Sequence, residues 1–454
     1  MLSICAKDLF MCKNIRSATL QRTIQIGLTI LLTGCASSIN AWKDVEKATL
    51  LAQDRTTVLI QTEIDWNPSM SLTRNAAISY AIMHDAHLHN DFAIIVQRRG
   101  EIAQAELPPN PTFSGAFGVA IDGLSGAPLI MQGMQGLSWL WTRPDRIAAA
   151  EQTLQQAVLR AAHRTITIVA EVRAAYAEVS FNKAQLKIAK QKIALANKRY
   201  EITSQLEKAG EASALEIDDA TTVVNKSKRN ELAKETALRL SYLKLLQTMG
   251  CPDQLDSFMI TDVYDVDSFN TYDELQLLEL AVANRLDLAT KRAAVQQRYS
   301  ELGLANPPLL SGSVGFNENF ADRQALTLGG SITIALDGDA KEAIANSKLQ
   351  QAEFAYIDAM RTAQYEVRSA LELFNTAKEQ TEVIDAELIH ALTSKMQRAN
   401  SAFQNGELQP LLHIDVQQEL LAAHSLVIED TRLLTLSAIQ LEFAVGGTFQ
   451  SLHQ

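Results

Sequence analysis

Apolar residues recur along this chain in two long stretches of helical spacing, and the two stretches share the same phrases. "LQQA" at Leu154–Ala157 is followed by "EVRAAYAEV" from Glu171, and "LQQA" returns at Leu349–Ala352, followed by "EVRSALELF" from Glu366. Val169, Val172, Tyr176 and Val179 step by three, four and three, the spacing of a coiled-coil seam. Val367, Leu371 and Phe374 repeat that seam, with Arg173 and Arg368 one residue beyond it in each copy. The pattern predicts very long helices over roughly 145–208 and 339–404. Each turns at a glycine, Gly210 or Gly406, into a return helix that ends at Gly250 or Gly446. Some sixty residues rising 1.5 Å each make a rod of roughly 90–100 Å, more than a compact domain needs.

The doubling extends beyond the rods. The opening phrases lie 195 residues apart, Gly210 and Gly406 lie 196 apart, and so do Gly250 and Gly446. "ELPPNPTFSGAFG" from Glu106 resembles "GLANPPLLSGSVG" from Gly303, which sets Gly115 and Gly118 on Gly312 and Gly315 at an offset of 197. "AIMHDAHL" from Ala81 resembles "AVANRLDL" from Ala281, at 200. A near-constant offset over this length is the mark of internal repetition. Each repeat opens with a helix, 71–107 or 272–305, followed by two β-like segments. These lie near 111–122 with 134–142, and 309–319 with 327–336, signalled by the aromatics of "GLSWLW" and the alternation of "LTLGGSITIAL". The expected fold is therefore mainly α with a small β part, in two tandem repeats of long coiled-coil helices with two strands each. The expected organisation is a leader at 1–34, a linker at 35–70, a first repeat at 71–250 and a linker at 251–271. A second repeat at 272–447 and a tail at 448–454 complete it.

Composition narrows the class. Charged residues are 20% and apolar residues 47%, with only 20 glycines and 10 prolines in 454 residues, which favours long helices over turn-rich β architecture. Lys13, Arg16 and Arg22 precede the apolar run Ile24–Leu32 and the small residues "TGCASS", the layout of a secretory signal. Without residues 1–34 the formal charge moves from −11 to −14, an acidic balance that argues against nucleic acid as partner. Only Cys35 and Cys251 then remain, too few for a disulfide framework within the chain. Four strands of about ten residues suit a lipid-spanning β-strand. Four strands cannot close a barrel, and an open edge in lipid strands unpaired backbone groups. Three copies would supply twelve.

Leu32-Thr33-Gly34-Cys35 resembles a bacterial lipobox, and the doubled order helix, two strands, long helix, glycine turn, helix resembles the TolC-type outer-membrane efflux proteins over about 71–447. That resemblance implies a homotrimer with a 12-stranded β-barrel in the outer membrane of a Gram-negative bacterium and an α-helical barrel extending into the periplasm. It implies an exit duct of a tripartite efflux pump or type I secretion system, passive and not an enzyme. Its partners would be a periplasmic adaptor, an inner-membrane transporter of the resistance-nodulation-division type, and outer-membrane lipids. It implies diacylglycerol and an N-acyl chain (palmitate) on Cys35, no other cofactor, and Ala36 directing the lipoprotein outward. The alternative is a lipid-anchored periplasmic scaffold or adaptor with no pore. Gly210 and Gly406 would form the periplasmic tips, and Asp415, nine residues past Gly406, matches a family aspartate at the pore constriction. Glu216 and Asp219 hold the equivalent first-repeat positions and could tie neighbouring hairpins together.

Two clusters invite a metal. His84 and His87 at i, i+3 could share an ion, and Met131 with Met134 in "MQGMQG" could offer thioethers. Chance neighbours on an amphipathic helix, and an exposed loop tip between strands, are the expected readings. No GxSxG, HExxH, Walker A or CxxC signature occurs.

Overall fold

The computed structural model describes residues 40–56, 71–117, 129–251, 258–261, 273–305, 310–319, 325–334 and 338–448. The leader with Cys35, residues 118–122 and the tail from 449 lie outside them. The helices are α1 (Trp42–Thr56), α2 (Arg74–His84), α3 (Ala86–Glu106), α4 (Trp139–Lys208) and α5 (Ala214–Met249). The second repeat has α6 (Glu274–Asn284), α7 (Leu286–Ala305), α8 (Gly338–Glu379), a π-helical turn (Gln380–Asp385), α9 (Ala386–Gln404) and α10 (Pro410–Val445). The strands are β1 (Thr112–Phe117), β2 (Leu129–Gly136), β3 (Leu310–Asn319) and β4 (Ala325–Ile334).

The rods form because the expected seams are buried. Val172, Tyr176 and Val179 are fully enclosed, Val367 and Phe374 likewise, and Ala161, Ala162, Ala177 and Ala196 keep the neighbouring helices close. The hydroxyl of Tyr176 donates to the Leu72 carbonyl at 3.0 Å, so a large aromatic is buried without an orphan polar atom. At the same level Leu72 pairs with Ile260 in a short parallel bridge, and Phe258 and Ile260 are buried. The segment between the repeats is therefore sewn into the core of the first.

The expected linker at 35–70 contains α1. It is held by Arg99, whose guanidinium reaches both oxygens of Asp44 at 2.7 and 2.6 Å. Each expected opening helix is broken once. Asp85 ends α2 and caps α3, its carboxylate accepting from the Leu88 amide at 2.7 Å and from Arg164 at 2.7 Å. Arg285 marks the equivalent break and binds Asp287, Glu366 and the Ala444 carbonyl.

The two return helices end by driving their glycines into these breaks. Gly250 (φ 76°) lies where a Cβ would sit 3.2 Å from the His84 carbonyl oxygen, and at Gly446 (φ 94°) a Cβ would sit 2.9 Å from the Arg285 nitrogen. Left-handed backbone and close approach both demand glycine here.

The four strands form one antiparallel sheet in chain order, β1-β2-β3-β4, with Met134 opposite Gly315 where the repeats meet. The second strand ends earlier than expected: "GLSWLW" does not continue it, because α4 begins at Trp139 directly after Ser138. Met131 and Met134 consequently belong to β2 and not to a loop tip.

The rods form a row. α4 packs against α5 on one side and α10 on the other, and α10 in turn against α8 and α9. The contact between α4 and α10 joins the repeats and carries an antiparallel ladder of polar ties. Arg173 meets Glu442 at 2.5 Å, Glu178 meets Arg432 at 2.6 Å, Gln185 exchanges two hydrogen bonds with Ser425, and Arg199 meets Asp415. The second rod differs from the first by its π turn, since α4 is unbroken over 70 residues.

Two outcomes test this frame. Gly446→Ala should cost more stability than Gly406→Ala. The former adds a backbone clash to about 1 kcal/mol of left-handed strain, while a Cβ at Gly406 meets open space. Equal losses in thermal melting would refute the close approach. The second concerns His163, which packs on the Phe443 ring with centroids 5.9 Å apart. Burial holds its pKa below the ordinary value, with Asp287 and Glu366 pulling it up and Arg285 pushing it down. As pH falls through about 6.5 the unfolded chain binds the proton first, so this contribution is full above that value and is lost below it. His163→Gln should flatten the fall in melting temperature between pH 7 and 5.5; an unchanged slope would remove His163 from the account.

Candidate functional site at the hairpin tips

Each tip is a helix end closed by a left-handed glycine. Gly210 (φ 78°) lets the Glu211 amide reach the Leu206 carbonyl at 2.8 Å, and Gly406 (φ 76°) lets the Glu407 amide reach Ala402 at 2.8 Å. A Cβ at either glycine would meet nothing within 4 Å, so backbone conformation alone selects the residue.

The two tips restart their return helices differently. In the first repeat Ser213 caps α5 and Glu216 answers it, its Oε2 accepting from the Ser213 amide at 2.6 Å and from the Ser213 hydroxyl at 2.9 Å. These bonds hold the Glu216 carboxyl below its ordinary pKa. Within the chain Glu216 thus serves its own helix start, a local role that the S-x-x-E box in "SALE" made visible. Asp219 lies exposed on the next turn. In the second repeat α10 starts on Pro410, which needs no amide partner there. His413 is buried against Phe403, ring centroids 4.5 Å apart and nearly parallel, and its Nε2 lies 2.7 Å from Asn400 Oδ1.

Asp415 sits just beyond this tip, half-exposed, on the flank of α10 that faces α4, and Arg199 of α4 binds it. The carboxylate expected at the constriction therefore shares its place with a cation from the other repeat. Sequence reading missed Arg199 because no helical spacing links residues 216 positions apart. Beside them a shallow groove of ≈ 370 Å³ lies between α9 and α10, bordered by Lys395, Arg398, Leu412 and Glu419. Lys395 and Glu419 form an ion pair across it.

His84 closes α2, stacks on Tyr80 and lies 2.8 Å from its carbonyl through Nδ1, while His87 lies beyond the break at Asp85, in α3. Met131 and Met134 are three residues apart in one strand and so face opposite sides of the sheet. Among the described residues no group of three His, Cys, Asp or Glu could hold a metal ion. No helix of the described residues is long and apolar enough to cross a membrane.

Residues 141–251, the first hairpin of rods, match the outer membrane efflux protein family. No curated protein sequence matches the chain. Solved structures with the same fold include the CusC channel (TM-score 0.67, 17% identity), covering 87% of this chain and 96% of that one. The Vibrio cholerae outer membrane protein VceC superposes with TM-score 0.66 at 16% identity, over 83% of this chain and 96% of that one. The Campylobacter jejuni CmeC outer membrane channel gives 0.66 at 15%, over 91% and 88%. A family match over the first rod hairpin, and a fold shared with solved outer-membrane channels over most of the chain, make this chain similar to the outer membrane efflux proteins.

Proposed function

We propose that three copies of this chain form the outer-membrane exit duct of a tripartite efflux pump. One observation carries the reading: both layers of the protomer are open at both ends. Among the described residues the sheet ends in β1 and β4, each with an unpaired backbone edge. The row of rods ends in α5 and α8, each presenting large apolar side chains to solvent: Leu232 and Leu240 at 64% and 60% exposure, Phe354 and Tyr365 at 70% and 73%. A chain that buries its interior this well leaves such edges for a neighbour. Joining β1 to β4 and α5 to α8 around a three-fold axis satisfies all of them with twelve strands and a tube of rods.

In this duct the protein is a passive conduit. Energy comes from an inner-membrane transporter of the resistance-nodulation-division type, reached through a periplasmic adaptor that meets the tips at Gly210 and Gly406; a type I secretion system would use the same parts. Cys35, acylated, anchors the first residues in the outer membrane's inner leaflet. Asp415 and Arg199 border the periplasmic throat, where their opposite charges set ion preference.

Detergent-extracted protein should have the mass of a trimer and conduct in planar bilayers; a stable monomer, or no conductance, would sink the duct. In the same bilayers Asp415→Ala leaves Arg199 uncompensated and should move the reversal potential towards anions, and Arg199→Ala towards cations. Shifts of the same sign would take the pair out of the throat. Separately, Cys35→Ser should abolish incorporation of a fatty-acid analogue, and persisting label would show that Cys35 is not the anchor.

A further inference from the structure

At three levels the charges on the two open edges of the rod row are mutually matched. Counting from the glycine turn, α5 carries Asp218 at eight residues, Arg229 at nineteen and Lys244 at thirty-four from Gly210. The rod on the other edge carries Arg398 at eight residues, Glu387 at nineteen and Glu372 at thirty-four from Gly406. At each level the signs are opposite, and near the tip both edges reverse sign together. All six side chains are exposed, and among the described residues none has an ion-pair partner within the chain. In a helix, residues eleven apart share a face, so Asp218 with Arg229, and Arg398 with Glu387, each line one side of their helix. Arg229 shares its side of α5 with the exposed Leu240, and Glu372 follows the exposed Tyr365 by two turns.

We infer that these six residues set the register between protomers: Asp218, Arg229 and Lys244 of one copy face Arg398, Glu387 and Glu372 of the next. The inference rests on the trimeric reading and adds how the copies find one another. Two equal edges brought together level and parallel, α5 on α5, would place Asp218 on Asp218, Arg229 on Arg229 and Lys244 on Lys244. The opposite edge would set Glu387 and Glu372 on themselves. Like charges directly opposed discriminate strongly against a partner, whereas matched pairs steer and align it. The pattern therefore disfavours a two-fold dimer and favours head-to-tail contact, the kind that closes into a ring. A slip of one helical turn would take every pair out of reach.

The full-length protein in detergent tests this with two pairs of reversals. Arg229→Glu with Lys244→Glu, and separately Glu372→Lys with Glu387→Lys, should each lower the trimer-to-monomer ratio at low salt by about tenfold or more. Combining all four should restore it, and the difference should shrink in high salt as the charges are screened. Reversals without effect, or a combination no better than either pair, would overturn the register. Cross-linking by a short bismaleimide supplies a readout independent of charge, since Cys251 is buried. Lys244→Cys with Glu372→Cys should give covalent subunit ladders, and Lys244→Cys with Glu387→Cys, fifteen residues out of level, should not. Equal ladders would overturn the register while leaving the trimer intact. An unaltered protein that is monomeric by mass would instead overturn the trimer, and the register with it.

Discussion

The contact between α4 and α10 is the constraint on which the rest of the protomer depends. It is the place where two copies of one ancestral unit become a single body. Small side chains let the helices approach, and buried apolar ones such as Phe181 and Ile439 give the contact its driving force. Apolar packing alone would tolerate sliding between two long, alanine-rich rods. The ties from Arg173–Glu442 at the wide end to Arg199–Asp415 near the tips remove that freedom. Ion pairs of this kind add little net stability, and their better-attested use is to specify one arrangement over its neighbours. With the seam fixed, β2 arrives beside β3 in register and the two glycine turns lie at one level.

Much of this was readable from the residue pattern because it depends on local periodicity. The seams at Val172, Tyr176, Val367 and Phe374, the turns at Gly210 and Gly406, and β3 with β4 follow from spacing and from glycine's tolerance of positive φ. The breaks at Asp85 and Arg285 were harder to see, since a helix stop made by a capping aspartate looks like one more polar residue on an amphipathic face. α1 was missed for a related reason. Its apolar face is mostly alanine, Ala48 and Ala52, and only packing on α3 and α4 reveals it. The "GLSWLW" error arose because aromatics serve a strand and a helix start equally well. The partner of Asp415 lay beyond any reading of spacing, because long-range ion pairs are a product of the fold.

The described residues give the protomer a division of labour. Its middle is a dense junction, where glycine-ended helices press into the breaks and Arg285 is buried among Asp287, Glu366 and the Ala444 carbonyl. Its ends are sparse: a four-stranded sheet on one side, two hairpin tips on the other. Packing is concentrated in the middle of the chain, and large apolar side chains such as Leu232, Leu240, Phe354 and Tyr365 are left exposed along the outer rods.

The π-helical turn at Gln380–Asp385 explains a small irregularity in the repeat. Above it the two copies are offset by 195 residues, as at Glu171 and Glu366, and below it by 196, as at Gly210 and Gly406. Between those landmarks the second rod holds one residue more than the first, and the structure stores it as a widened turn. Had the extra residue been absorbed as ordinary α-helix, everything below would have rotated by about 100° and presented the wrong face to α10. The bulge acts as a frame-restoring insertion. It is a fossil of the event that let the duplicated rods diverge, and it kept the old packing phase on both sides of the scar.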